Sequence, residues 1–93
     1  MAIGTDTRVD QLDELLKLLT QGPQSEESEM AQEHLQGART YLLAAMNDEY
    51  ILNIELAREA IGPIPDDRVR AEALQLLSNL EAEETARPTE PGI

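Results

Sequence analysis

The fold is decided by one long stretch, residues 29–61, which reads EMAQEHLQGARTYLLAAMNDEYILNIELAREAI and contains no proline. Its apolar side chains recur mostly every fourth residue, with intervals of three interspersed, and this follows the 3.6-residue period of an α-helix. Further apolar side chains belong to other faces, and a helix that is apolar nearly all round is buried on several sides. The stretch therefore predicts a central helix against which the rest of the chain packs.

We predict that this helix runs from residue 26 to residue 61. Its main apolar stripe consists of Ala31, Leu35, Ala38, Leu42, Met46, Tyr50, Ile54, Ala57 and Ile61. We favour a continuous helix because the stripe does not change phase across Asn47-Asp48. The alternative is a break at this point, since Asn47 is able to cap a new helix that begins at Asp48. A break there predicts a compact four-helix monomer.

Two shorter helices are predicted on either side, over residues 8–20 and 67–82. Thr7-Arg8-Val9-Asp10 resembles a capping box at the start of the first helix, and Gly22-Pro23 supplies its stop, with glycine available for a left-handed cap. The segment Gly62-Pro63-Ile64-Pro65 separates the central helix from the last one. The prediction is an all-α, three-helix domain over residues 1–82, followed by a disordered acidic, proline-containing tail over residues 83–93.

The composition agrees with an all-α fold and restricts the partners. The 93 residues include no cysteine, tryptophan or phenylalanine, so leucine, isoleucine, methionine and alanine must fill the core. Nineteen acidic side chains against seven basic ones give a net charge of −12. Such a protein repels phosphate backbones and anionic membrane surfaces, so we expect no binding to nucleic acid or membranes. The charge favours solubility or a basic protein partner.

No leader or membrane segment is expected. The first eight residues lack the charged-then-apolar pattern of a signal peptide, and no apolar run approaches the roughly 20 residues of a membrane span. We expect a cytoplasmic protein.

The sequence offers little catalytic chemistry. Its one histidine, His34, has Met30 and Ala31 at the preceding helical positions, so the Glu-x-x-His pair of helical di-iron sites is absent. The serines show no arrangement with histidine and an acid, and no glycine-rich phosphate loop occurs. We therefore expect no catalytic residues, no metal site and no cofactor. A small enzyme or a metal-binding helical protein is the less favoured alternative.

The predicted helix lengths imply an assembly. Two short helices placed end to end cover only one side of a long central helix, and an apolar surface left exposed usually marks an interface. We therefore predict a homodimer with the central helices of both copies at its centre. The candidate interface consists of Tyr41, Met46, Tyr50 and Ile51.

The function predicted from these features is that of a small acidic interaction module: an adaptor, a chaperone-like subunit or a regulatory subunit that acts by binding a basic or helical protein partner. The alternative is an acidic surface that binds a basic protein. Its candidate residues are the acids at the start of the central helix, Glu26, Glu27, Glu29 and Glu33, or the acids near the C-terminus. These acids also have a purely structural explanation, because a helix N-terminus favours negative charge.

Overall fold

The structure, a computed structural model, describes residues 7–86, with side chains described through residue 82. This part of the chain is all-helical, as the sequence predicts, and contains no strand. It forms four helices: α1 (Thr7–Gln21), α2 (Glu26–Leu43), α3 (Asn47–Ile61) and α4 (Asp67–Ala86). The predicted lead-in of residues 1–6 and residues 87–93 of the predicted tail lie outside the described residues.

The prediction of a continuous helix over residues 26–61 is wrong, because the chain turns back between Leu43 and Asn47. The turn is a Schellman-type helix end. The Met46 N–H donates to the Tyr41 carbonyl at 2.9 Å, and the Ala45 N–H donates to the Leu42 carbonyl at 3.1 Å. Together these two bonds satisfy carbonyl groups that the end of α2 would otherwise leave without partners.

The residue that reverses the chain is Ala45, whose φ of 61° lies in the left-handed region. Glycine usually occupies this position of a Schellman motif, because a side chain is strained there. Neither glycine nor proline occurs between Leu43 and Asn47, so the strongest local signals for a turn are missing. α3 then begins at Asn47, and no side chain caps its first turn.

The reversal is favoured because it folds one apolar stripe onto itself. α2 and α3 lie side by side over most of their lengths, and their inward faces share one core. α1 lies beside α2 and α4, and α4 also packs against α3. The largest fully buried apolar side chains of this core are Leu12, Leu15, Leu19, Leu35, Ile61, Ile64, Leu77 and Leu80.

Two surface ion pairs join neighbouring helices. Arg39 on α2 pairs with Asp13 on α1 at 2.7 Å, and Arg58 on α3 pairs with Glu81 on α4 at 2.5 Å. Each of these side chains is more than a third exposed, so each pair contributes little to stability.

The predicted ends of the outer helices agree with the structure to within a few residues, although one cap differs. Gly22 follows α1 but keeps a negative φ. A Cβ atom at this position would lie 3.1 Å from Cγ2 of Val69, so the glycine allows α4 to approach closely. The C-terminal end of α1 is capped instead by the Gln24 side chain, whose Nε2 lies within 3.0 Å of the carbonyls of Leu19, Thr20 and Gly22.

Candidate protein-binding surface

The clearest surface feature is a concentration of apolar side chains at the end of the α2–α3 hairpin. The large apolar side chains with the highest exposed fractions are Met30 (55%), Leu43 (62%), Met46 (43%), Ile51 (38%) and Leu52 (54%). All except Met30 fall within residues 43–52. Ala44 and Ala45, in the turn itself, are also exposed. We call Leu43, Met46, Ile51 and Leu52 the hairpin-end residues.

The local structure explains why these side chains are exposed. Leu43 is the last residue of α2 and Met46 belongs to the turn, so neither has a helix beyond it to pack against. On α3, the buried positions include Tyr50, Ile54, Ala57 and Ile61, which recur at helical spacing. Leu52 lies almost opposite the centre of that buried face, and Ile51 lies at the edge of the face.

The four predicted interface residues fall into different environments. Met46 and Ile51 are exposed, whereas Tyr41 is half-buried and packs against the core. Tyr50 is only 3% exposed and belongs to the core. Its ring lies under the Arg8 guanidinium, with the guanidinium carbon 5.2 Å from the ring centroid. Tyr50 is therefore not available to a partner in the folded monomer, and Leu43 and Leu52 take its place on the exposed surface.

The hairpin-end residues could have been identified from the sequence only if the break between α2 and α3 had been known. In a continuous helix, Leu43 and Leu52 look like parts of two additional buried faces. Once the helix folds back, the same residues lie at the end of a hairpin and next to solvent.

Burial of Arg8, at 4% exposure, has no signal in the sequence, because arginine near a helix start is usually solvated.

Acidic side chains frame the hairpin-end residues on α3. Asp48, Glu55 and Glu59 are exposed and share the outward half of this helix with Leu52. The ion pairs between residues 7 and 82 join Asp13, Asp67, Glu72 and Glu81 to arginines, so these three acids have no arginine or lysine partner among the described side chains. A partner that covers the apolar residues would therefore meet negative charge around them.

The predicted acidic patch lies at the other end of α2. Glu26, Glu27 and Glu29 form its first turn, and Glu33 follows one turn later. Ser25 caps this helix, and its Oγ accepts a hydrogen bond from the Ser28 N–H at 3.1 Å. The acids therefore occupy positions that the helix N-terminus itself favours.

An open groove between α1 and α4 has a volume of about 410 Å³. Leu18 and Leu76 supply its apolar floor, and its rim carries both signs of charge, with Lys17 facing Glu14 and Glu72. The sequence did not predict this groove. Its small apolar floor and mixed rim make it a weaker binding surface than the hairpin end.

The described residues present little catalytic chemistry. His34 is half-buried on α2. Within residues 7–82, no group of three or more histidine, aspartate or glutamate side chains comes together in a way that could hold a metal ion. No helix in the described part of the chain is long and apolar enough to cross a membrane. Comparison with protein-family models, curated proteins and solved structures gives no match.

Proposed function

We propose that this protein is a small helical interaction module that acts by binding another protein through its hairpin-end residues. The observation that carries the proposal is the clustering of the exposed side chains of Leu43, Met46, Ile51 and Leu52 within ten residues of chain, in and beside the turn between α2 and α3. Single exposed apolar side chains are ordinary, whereas a group of large ones commonly marks a binding surface. Methionine, whose side chain is unbranched and flexible, also adapts readily to a partner.

The chemistry of the partner follows from the charge around this surface. The protein carries a net charge of −12, and Asp48, Glu55 and Glu59 lie on the same helix as the apolar residues. The partner that fits is an amphipathic helix or segment with an apolar face flanked by lysine or arginine. Burial of the apolar face supplies affinity, and the complementary charges favour encounter and orientation.

The predicted homodimer loses much of its basis as a side-by-side assembly. That prediction required apolar faces of one long helix to be exposed. In the structure α2 and α3 pack against each other, and most of those faces are buried between them within one chain. Two copies would also bring like charge together at the hairpin ends. At low concentration and low salt this repulsion leaves the hairpin end free, and a basic partner is the occupant that the charge favours.

The test compares three forms of the protein as bait in extracts of the source cells, followed by binding measurements with the purified partner. The forms are the wild type, the double substitution Leu43→Ser with Leu52→Ser, and the matched control Met30→Ser. Met30 is as exposed as Leu52 but lies away from the hairpin end. We expect a partner that binds the wild type and the control with equal affinity and binds the double variant at least about tenfold more weakly, as loss of two apolar contacts implies.

A further arm tests the acidic alternative. Replacing Glu26, Glu27, Glu29 and Glu33 by glutamine removes the charge of the acidic patch and leaves the hairpin end intact. The proposal would be overturned in favour of the acidic patch by the opposite pattern. In that pattern the hairpin-end variant binds the partner as tightly as the wild type, the glutamine variant does not bind, and added salt strongly weakens binding.

A further inference from the structure

The turn between α2 and α3 has the features of a hinge. Its residues, Ala44, Ala45 and Met46, are all strong helix formers, yet they interrupt a helix. Ala45 is held at a φ of 61°, in the left-handed region that side chains with a Cβ avoid. The same three residues would be free of this strain in a continuous helix. A short, strained turn of this kind favours opening of the hairpin.

The apolar pattern is compatible with the opened form. Leu42, Met46 and Tyr50 follow one another at intervals of four, so the inward face of α2 leads directly into the inward face of α3. Straightening the turn therefore gives one helix over residues 26–61 with a single apolar face. That face can be covered only by a second chain, because the opened hairpin separates α1 and α2 from α3 and α4.

We propose that two copies of this chain exchange halves, so that α1 and α2 of each copy pack against α3 and α4 of the other. Every contact between the halves is recovered in such a dimer, including those of Arg8 with Tyr50 and of Gly37 with Asn53. The exchange also adds an interface. The two straightened hinges meet at the two-fold axis, where the exposed Leu43 and Met46 of each copy cover one another.

Mass action and charge set the conditions. Exchange requires two chains, so the dimer accumulates with concentration. Each copy carries a net charge of −12, and this repulsion opposes association until salt screens it. The exchanged dimer is therefore favoured at high concentration and high salt. It also covers part of the hairpin end, although its existence does not depend on the partner proposed for that surface.

The first test measures the molar mass by light scattering after size exclusion, from micromolar to millimolar concentration at low and high salt. We expect the 10.3 kDa chain when dilute and twice that mass when concentrated. Asn47→Pro is the discriminating variant. Proline suits the first position of α3, and Met46 before it has a ψ of 83°, outside the helical region, whereas proline inside a continuous helix breaks it.

We expect Asn47→Pro to melt cooperatively by circular dichroism and to lower the dimer fraction at least about tenfold, because proline is excluded only from the straightened helix. Ala45→Gly should also lower the dimer fraction, without introducing a proline. Glycine relieves the strain of the left-handed φ in the turn and destabilises the continuous helix. A wild type that stays at the mass of one chain throughout, or variants that dimerise as the wild type does, would overturn the proposal.

A second test separates exchange from simple side-by-side association. The chain has no cysteine, so a pair introduced by Gly37→Cys and Asn53→Cys is the only thiol pair present. These positions face each other across α2 and α3, with a Cβ at residue 37 placed 3.4 Å from Asn53 Cγ. Oxidation of the isolated dimer should give a covalent dimer on a denaturing gel. Disulfides confined within single chains would show that the dimer is not exchanged.

Discussion

Gly37 and Asn53 lie in close contact across α2 and α3: a Cβ atom at residue 37 would lie 2.8 Å from the Asn53 Oδ1. The Asn53 amide is held in place by its own helix, since its Nδ2 donates to the Glu49 carbonyl at 2.8 Å. Glycine inside a helix lowers its stability by about 1 kcal/mol relative to alanine. The close contact explains why the chain carries a glycine there.

This contact predicts a coupling between the two positions. In an Asn53→Ala background, Gly37→Ala should raise the free energy of unfolding by about 1 kcal/mol, the ordinary gain from helix propensity. In the wild type, most of that gain should be lost, because Asn53 must move or break its hydrogen bond. Urea denaturation of the four forms measures the coupling. An equal effect of Gly37→Ala in both backgrounds would show that the helices do not approach so closely.

The strained turn predicts a stabilising substitution. Ala45→Gly should raise the free energy of unfolding of the monomer by about 1 kcal/mol, because glycine adopts a left-handed φ without a Cβ clash. Ala44→Gly is the matched control. Ala44 has an ordinary φ of −87°, so glycine brings no relief there and should lower stability slightly. Thermal or urea unfolding at micromolar concentration checks both variants. A loss of stability in Ala45→Gly would contradict a left-handed conformation of residue 45.

The end of α1 predicts that Gln24 acts as a cap. Its amide nitrogen reaches three main-chain carbonyls, and its Oε1 accepts from Gln32 Nε2 at 3.1 Å. Gln24→Ala should therefore lower the free energy of unfolding by about 0.5–1.5 kcal/mol, since the carbonyls lose a partner. The exposed Gln36 on α2 serves as the control, because Gln36→Ala should change stability by less than about 0.5 kcal/mol. Equal effects at both sites would exclude a capping role.

The contrast between Tyr50 and Ile51 predicts opposite outcomes at neighbouring positions. Tyr50→Asp removes a buried ring that packs in the core under the Arg8 guanidinium and should unfold the chain, because truncating a large buried aromatic side chain costs about 3–5 kcal/mol. Ile51→Asp changes an exposed side chain and should leave the helix content and the melting transition nearly unchanged. Circular dichroism distinguishes them. A folded Tyr50→Asp variant would mean that this residue lies on the surface.

The sequence predicted the helical class and the outer helices because their limits depend on local chemistry. Gly22-Pro23 and Gly62-Pro63-Ile64-Pro65 stop helices wherever they occur, and Asp66 caps α4 by accepting a hydrogen bond from the Val69 N–H at 2.9 Å. α4 continues past its predicted end to Ala86, because helix formers persist through the acidic stretch after Leu80.

The break between α2 and α3 could not be predicted in this way. No glycine or proline marks it, and the apolar stripe remains in phase on both sides. The reversal depends on packing between residues distant in sequence, such as Gly37 with Asn53, which outweighs the strain at Ala45. The break also changes the burial of residues around the candidate interface, which stays a prediction. Tyr50 lies in the core, whereas Leu43 and Leu52 are exposed.

The most direct test of this account is the distance between spin labels on Glu33→Cys and Glu59→Cys, measured by pulsed electron paramagnetic resonance at micromolar concentration. Both side chains are exposed and the chain has no other cysteine. In the hairpin, the labels lie on neighbouring helices whose axes are about 10 Å apart, so we predict a short distance set by that spacing and the label tethers. In a continuous helix, 26 residues separate them by about 39 Å. A long distance in the dilute monomer would contradict the hairpin and the binding surface at its end.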